Sequence, residues 1–233
     1  MVKKIKISKK KLKQPDEFIT FTEKGLRLIG KYLKHIAIGA VVVVFILLAF
    51  FIFRYWEKGK EAQASQKFNS AVDLYQKANS PYREGTSDEF RNVLGRFDEV
   101  IGQFPRTSSG RIALLHKGNI HLRLGEFEEA VKAYETLLTK SGIEKVYHSL
   151  ALEGLGYAYE GKKEYEKALH AFKETLRKGE KLQSAETYLN MGRIYEEMGK
   201  TDEALENYKS YLKVAQKSQK NQFVLRKISL LEN

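Results

Sequence analysis

Residues 116–138 read HKGNIHLRLGEFEEAVKAYETLL, residues 153–176 read EGLGYAYEGKKEYEKALHAFKETL, and residues 189–212 read LNMGRIYEEMGKTDEALENYKSYL. Aligned on Gly118, Gly156 and Gly192, the three segments share one grammar. His121, Tyr159 or Tyr195 stands three residues after the glycine, and Ala130, Ala168 or Ala204 twelve residues after it. Tyr134, Phe172 or Tyr208 follows four residues beyond the alanine. The glycines recur at spacings of 38 and 36 residues, which marks a stacked array of helical hairpins. Antiparallel helices approach closely only where small side chains cross, which is the task of the Gly and Ala positions. The aromatics fill the wedge between one hairpin and the next. Gly125 and Gly199 fall where the first helix must stop, and glycine adopts a left-handed turn with little strain. In the middle unit Gly161 stands two residues early and Lys163 takes the expected place, which predicts an irregular turn.

The pattern of a small residue at the crossing, an aromatic three residues on, then Ala and an aromatic in the second helix resembles tetratricopeptide repeats. The match spans roughly residues 107–216, and His121 departs from it where Tyr is usual. A partial repeat precedes these three. AQASQKFNSAVDLYQKA (62–78) reads as its first helix, a turn-rich NSPYREGTS (79–87) follows, and Val93, Phe97 and Pro105 fit a second helix with its closing proline. After the last repeat NQFVLRKISLLEN reads as a capping helix whose Phe223, Ile228 and Leu231 cover the open end of the stack.

Upstream, residues 36–53 read IAIGAVVVVFILLAFFIF, eighteen residues with no charge. As a helix this stretch is about 27 Å long, close to the hydrocarbon core of a bilayer. Tyr32 on one side and Tyr55 with Trp56 on the other suit the two interfaces. A cleaved leader does not fit, because the small triplet Ala62, Gln63 and Ala64 lies beyond Arg54, Glu57, Lys58, Lys60 and Glu61. Residues 1–35 hold eleven Lys or Arg against three acids, whereas residues 54–70 offer four basic side chains. That bias keeps the N-terminus cytoplasmic and sends residues 57–233 across the membrane. Thr20 to Glu23 fits a capping box and so predicts a helix start. Lys24, Arg27, Lys31 and Lys34 then share one face, opposite Phe18, Leu26, Ile29 and Leu33, as in a basic helix lying on anionic lipid. The same reading explains the Lys-rich run at residues 3–13 without nucleic acid.

The expected fold class is all-α: a single transmembrane helix, then a tetratricopeptide-like solenoid of about three and a half hairpins with a capping helix. The domains read as a basic cytoplasmic tail with an amphipathic helix (1–35), a transmembrane helix (36–56), a partial repeat (57–106), three repeats (107–216) and a cap (217–233). This layout, with QPDEF before the span and RYWEK after it, is similar to the ancillary SecYEG translocon subunit family of bacterial inner membranes. The resemblance implies a periplasmic repeat domain associated with the translocon and with periplasmic folding factors. A cell-envelope assembly or division adaptor is the alternative.

The concave face of such a stack is formed by first-helix residues that do not meet the neighbouring helices. By register these are Leu115, Asn119, Leu122 and Arg123, then Glu153, Tyr157 and Glu160, then Leu189, Asn190, Arg193, Glu196 and Glu197. A surface with a tyrosine and an arginine suits protein or peptide contacts. A clamp for a C-terminal carboxylate is disfavoured, because Leu115 stands where such a clamp places a lysine. Catalysis and cofactors are not expected. The sequence has no cysteine, no phosphate-binding glycine loop and no Ser-His-Asp spacing, and its histidines, His35, His116, His121, His148 and His170, show no metal-ligand spacing.

Overall fold

The computed structural model describes residues 17–80, 85–178, 184–215 and 218–232, with the side chains of residues 17–24, 27–29 and 178 outside the description. The described secondary structure is helical: α1 (Glu17–Ala78), α2 (Ser87–Gln103), α3 (Ser108–Arg123), α4 (Phe127–Leu138), α5 (Lys145–Gly161), α6 (Tyr165–Lys178), α7 (Ser184–Glu197), α8 (Thr201–Val214) and α9 (Asn221–Leu231). The Lys-rich run at 3–13 lies outside the described residues, as do the side chains of Lys24, Arg27, Phe18 and Ile29 on the amphipathic faces. The helix start expected at Thr20 is corrected, because α1 already includes Glu17. Extending an existing helix adds a hydrogen bond for each residue fixed, which outweighs a local cap.

The chain divides into two units, Met1–Trp56 and Glu57–Asn233. The first contains a stretch long and apolar enough to cross a membrane, with mean hydropathy 3.3 and no part of that window buried. Val44, Phe45 and Ile52 are 53, 67 and 68% exposed. A helix in the core of a soluble domain would cover such side chains.

The second unit is a stack of antiparallel hairpins. It begins with the last turns of α1, where Ala64, Ala71 and Ala78 form a buried seam at seven-residue spacing. Ala71 and Ala78 share a core cluster with Phe90, Val93 and Phe97 of α2 and with Ala113 and Ile120 of α3. His116 of α3 sits among their rings. It stacks on Phe97 at 4.9 Å and meets Phe68 and Tyr75 of α1 edge-on at 5.4 and 5.6 Å. Burial holds its imidazole below the usual pKa range, so it fills the box as a neutral ring. Glu61 of α1 fastens this region to α3 by accepting from the backbone N–H groups of Ser108 and Ser109 at 2.7 and 3.0 Å. Those two donors are among the amides that a helix start leaves without intrahelical partners.

In each full repeat the aromatic of the second helix lies directly on the glycine of the first. A Cβ on Gly118 would stand 2.5 Å from Tyr134, one on Gly156 2.6 Å from Phe172, and one on Gly192 2.6 Å from Tyr208. The first contact of each of these aromatics is therefore within its own hairpin. Tyr134 also reaches the next hairpin, where a Cβ on Gly154 would stand 2.4 Å from its ring, and Phe172 shares a core cluster with Met191 and Ile194 of α7.

The turn at Lys163 is regular, contrary to expectation. Lys163 has φ +61, beside +73 at Gly125 and +69 at Gly199. The backbone bonds also match: Gly125 and Glu126 donate to Leu122 and His121, Lys163 and Glu164 to Glu160 and Tyr159, and Gly199 and Lys200 to Glu196 and Tyr195. The hairpin imposes the conformation, and a lysine side chain bears the strain. Gly161, released from the turn, ends α5 where Phe127 of the preceding hairpin packs, 2.3 Å from where a Cβ would lie. Lys163→Gly should accordingly raise stability by roughly 0.5–1 kcal/mol, the relief of left-handed strain less the added freedom of the unfolded chain. Thermal melts of the two chains check this, and an unchanged or lower melting temperature would show that Lys163 is unstrained.

The cap is present, with one residue reassigned. Val224 and Ile228 of α9 are buried and Leu231 is partly covered, whereas Phe223 is 52% exposed. Positions 224, 228 and 231 follow the i, i+4, i+7 stripe of a helix face, and position 223 lies about 100° away from it.

Candidate protein-binding groove

First helices α3, α5 and α7 carry all twelve residues expected on the concave face. Five of them, Leu115, Asn119, Leu122, Glu153 and Tyr157, line one hollow of about 250 Å³ together with Leu150 and Gly154. The hollow forms because Gly154 has no side chain and lets α5 approach Tyr134, whose hydroxyl donates to Asn119 Oδ1 at 2.6 Å. Leu150 and Gly154 were not expected here. The available signal was the row Leu150, Gly154, Tyr157 at helical spacing, one turn per step.

The remaining residues are placed around this centre. Asn190 of α7 is buried and donates to the Tyr157 hydroxyl at 2.7 Å, and that hydroxyl stands 3.4 Å from Glu153 Oε1. Arg193 pairs with Glu160 across the helices at 2.7 Å. Arg123 lies 4.9 Å over the Phe90 ring. Glu196 accepts from the Tyr208 hydroxyl and from Lys227, each at 2.7 Å. Leu189 packs on the C-terminal cluster, and Glu197 is exposed. Leu115 belongs to the core, at 5% exposure, so it offers the hollow an edge rather than a free side chain.

Tyr157 was expected to stand apart from the inter-helix core, and this is corrected. Its ring meets Phe172 edge-on at 5.5 Å, because it follows Gly156, the seat of that ring. Burial, followed by the nearby Glu153 carboxylate, pushes its hydroxyl up to about 12, so it stays protonated at neutral pH. Burial likewise raises Glu153 above the usual carboxylate range, with the like charge of Glu186 adding to it against the Tyr157 hydrogen bond. His121, in the place of the usual tyrosine, bonds Glu126 Oε2 through Nδ1 at 2.7 Å. Tyr159 in the next repeat donates to Glu135 at 3.0 Å, so both positions tie the first helix to a nearby carboxylate.

Stacked hairpins with a lined inner face define a helical-repeat scaffold for protein–protein interaction. The chain belongs to the tetratricopeptide repeat-like domain family, which it matches over residues 29–233. Solved structures share the fold at low identity. MamA residues 41-end from Desulfovibrio magneticus RS-1 aligns with a TM-score of 0.53 at 15% identity, over 67% of this chain and 77% of that one. Pseudomonas aeruginosa pilF aligns at 0.55 and 15%, over 74% and 69%. YrrB, described as a TPR protein with an unusual peptide-binding site, aligns at 0.52 and 17%, over 71% and 74%. No curated protein matches the chain.

Proposed function

We propose that this protein is a non-enzymatic scaffold anchored in a bacterial inner membrane by residues 36–56. Its basic N-terminus is cytoplasmic, against anionic lipid, and its repeat unit is periplasmic. There it stands beside the Sec translocon and passes emerging chains to periplasmic folding factors. The observation that carries the binding role is the lined hollow between α3 and α5. A face of that kind, aromatic and aliphatic with a few polar groups, suits peptide capture. The peptide-binding site named for YrrB lends the same fold to that use. Support for the anchor comes from the bare apolar helix and the charge bias across it.

The absence of native cysteine gives a clean test. Leu122→Cys places a thiol at the hollow, Lys209→Cys on exposed α8, and Ser8→Cys in the tail. With a membrane-impermeant thiol crosslinker added to spheroplasts, Leu122→Cys should be labelled and joined to translocon subunits or exported chains. Lys209→Cys should be labelled without that product, and Ser8→Cys should react only after lysis. Reaction of Ser8→Cys in intact spheroplasts would reverse the topology. Recovery of wall-synthesis or division proteins in place of the translocon would favour the envelope adaptor.

A further inference from the structure

We propose that the hollow between α3 and α5 receives a lysine or arginine side chain carried on an apolar stretch of the partner, and that Glu153 is the carboxylate it meets. This rests on the groove reading above and names the chemistry of the occupant. Charge is the first support. Glu153 lines the hollow, and its polar neighbours are the Tyr157 hydroxyl at 3.4 Å and the like charge of Glu186. No cation among the described residues pairs with it. Other acids of the inner helices are matched at 2.7 Å: Glu160 with Arg193, Glu186 with Lys220, and Glu196 with Lys227.

The carboxylate is half-buried, and burial already works against its charged form. Loss of hydration is what makes most ion pairs weak. Here much of that loss has occurred before the partner arrives, so an incoming cation gains the attraction with less to offset it. An anionic occupant would meet repulsion from Glu153. A wholly apolar one would seal the carboxylate away from water with no counter-charge.

Shape agrees with a single side chain. The volume of about 250 Å³ lies below the roughly 300–1,000 Å³ of small-molecule sites. Leu122 and Leu150 offer aliphatic surface for the methylene stem of a lysine or arginine. Asn119 has its oxygen engaged by Tyr134, which leaves its amide nitrogen as a donor to a carbonyl of the partner's backbone.

Three fluorescein-labelled peptides test this, each an acetylated GSLVXVLSG amide with X as lysine, glutamine or glutamate. Binding is read by anisotropy to the full chain held in amphipol, with protein-free amphipol as the blank. The lysine peptide should bind at least about tenfold more tightly than the glutamine peptide, as a charge-assisted contact implies, and the glutamate peptide should bind weakest. Raising the salt concentration should narrow the difference. Glu153→Gln, which keeps shape and hydrogen-bonding capacity, should reduce the preference to under about threefold with an unchanged melting curve. Glu206→Gln, at an exposed acid of α8 outside the groove, should leave the preference intact. Equal binding of all three peptides would overturn the charge assignment and leave the groove reading standing. A preference that survives Glu153→Gln would do the same. Absence of binding by any peptide, together with absence of crosslinks from Leu122→Cys, would overturn both.

Discussion

Gly156→Leu should destabilise the repeat unit by about 1–3 kcal/mol or more, while Gly95→Leu should leave stability unchanged or slightly raised. Both residues lie inside helices, so both substitutions gain the same helix propensity. They differ in what the new side chain meets. A Cβ at Gly156 would stand 2.6 to 2.8 Å from three ring atoms of Phe172, and that ring is fully buried. It has no free space to retreat into, so α5 and α6 must separate or the ring must leave its well. At Gly95 in α2 nothing lies within 4 Å of a built Cβ. For a unit of this size each kcal/mol shifts a melting temperature by roughly 2–4 °C, so circular dichroism of the full chain in detergent resolves the contrast. Equal melting temperatures for the two variants would mean that α5 and α6 do not cross at Gly156.

Why that glycine was legible, and others were not, follows from the periodicity of the array. Gly118, Gly156 and Gly192 do the same work in successive units, so repetition exposes them, and with them the hairpins and the turns at Gly125 and Gly199. Features present in one unit leave no such trace. Gly154 is paired with Tyr134 across a junction that occurs at only one place in the sequence. Lys163 was misread because the rule that glycine favours left-handed turns is a preference, and the packed hairpin overrides it. Within the candidate groove, register assigns residues to α3, α5 and α7. It could not show that Tyr157 leans on Phe172, that Arg193 is held by Glu160, or that Glu153 meets no cation among the described residues. Those outcomes depend on side chains from two helices meeting at a distance, and no single-helix pattern encodes them.

Tyr134→Ala should destabilise the repeat unit by about 3–5 kcal/mol, the range found for deleting a buried aromatic. Tyr134 is fully buried. Its ring covers Gly118 of its own hairpin and Gly154 of the next, and its hydroxyl donates to Asn119 at 2.6 Å. Removing it therefore opens a cavity at a junction between hairpins and leaves the two facing glycines with nothing to fill the gap. In a stack where stability is the sum of units and their interfaces, that loss weakens coupling as well as packing. Denaturant unfolding of Tyr134→Ala should broaden or split into two steps, with a lower apparent slope than the parent chain. Tyr134→Phe separates the contributions: it keeps the ring on both glycines and deletes only the hydrogen bond, so it should cost roughly 0.5–1.5 kcal/mol and keep a single transition. Because the same hydroxyl positions Asn119 at the hollow, Tyr134→Phe should also weaken peptide capture more than its small stability loss accounts for. A Tyr134→Ala chain that unfolds in one step within about 1 kcal/mol of the parent would show that the α4–α5 junction is held by other contacts.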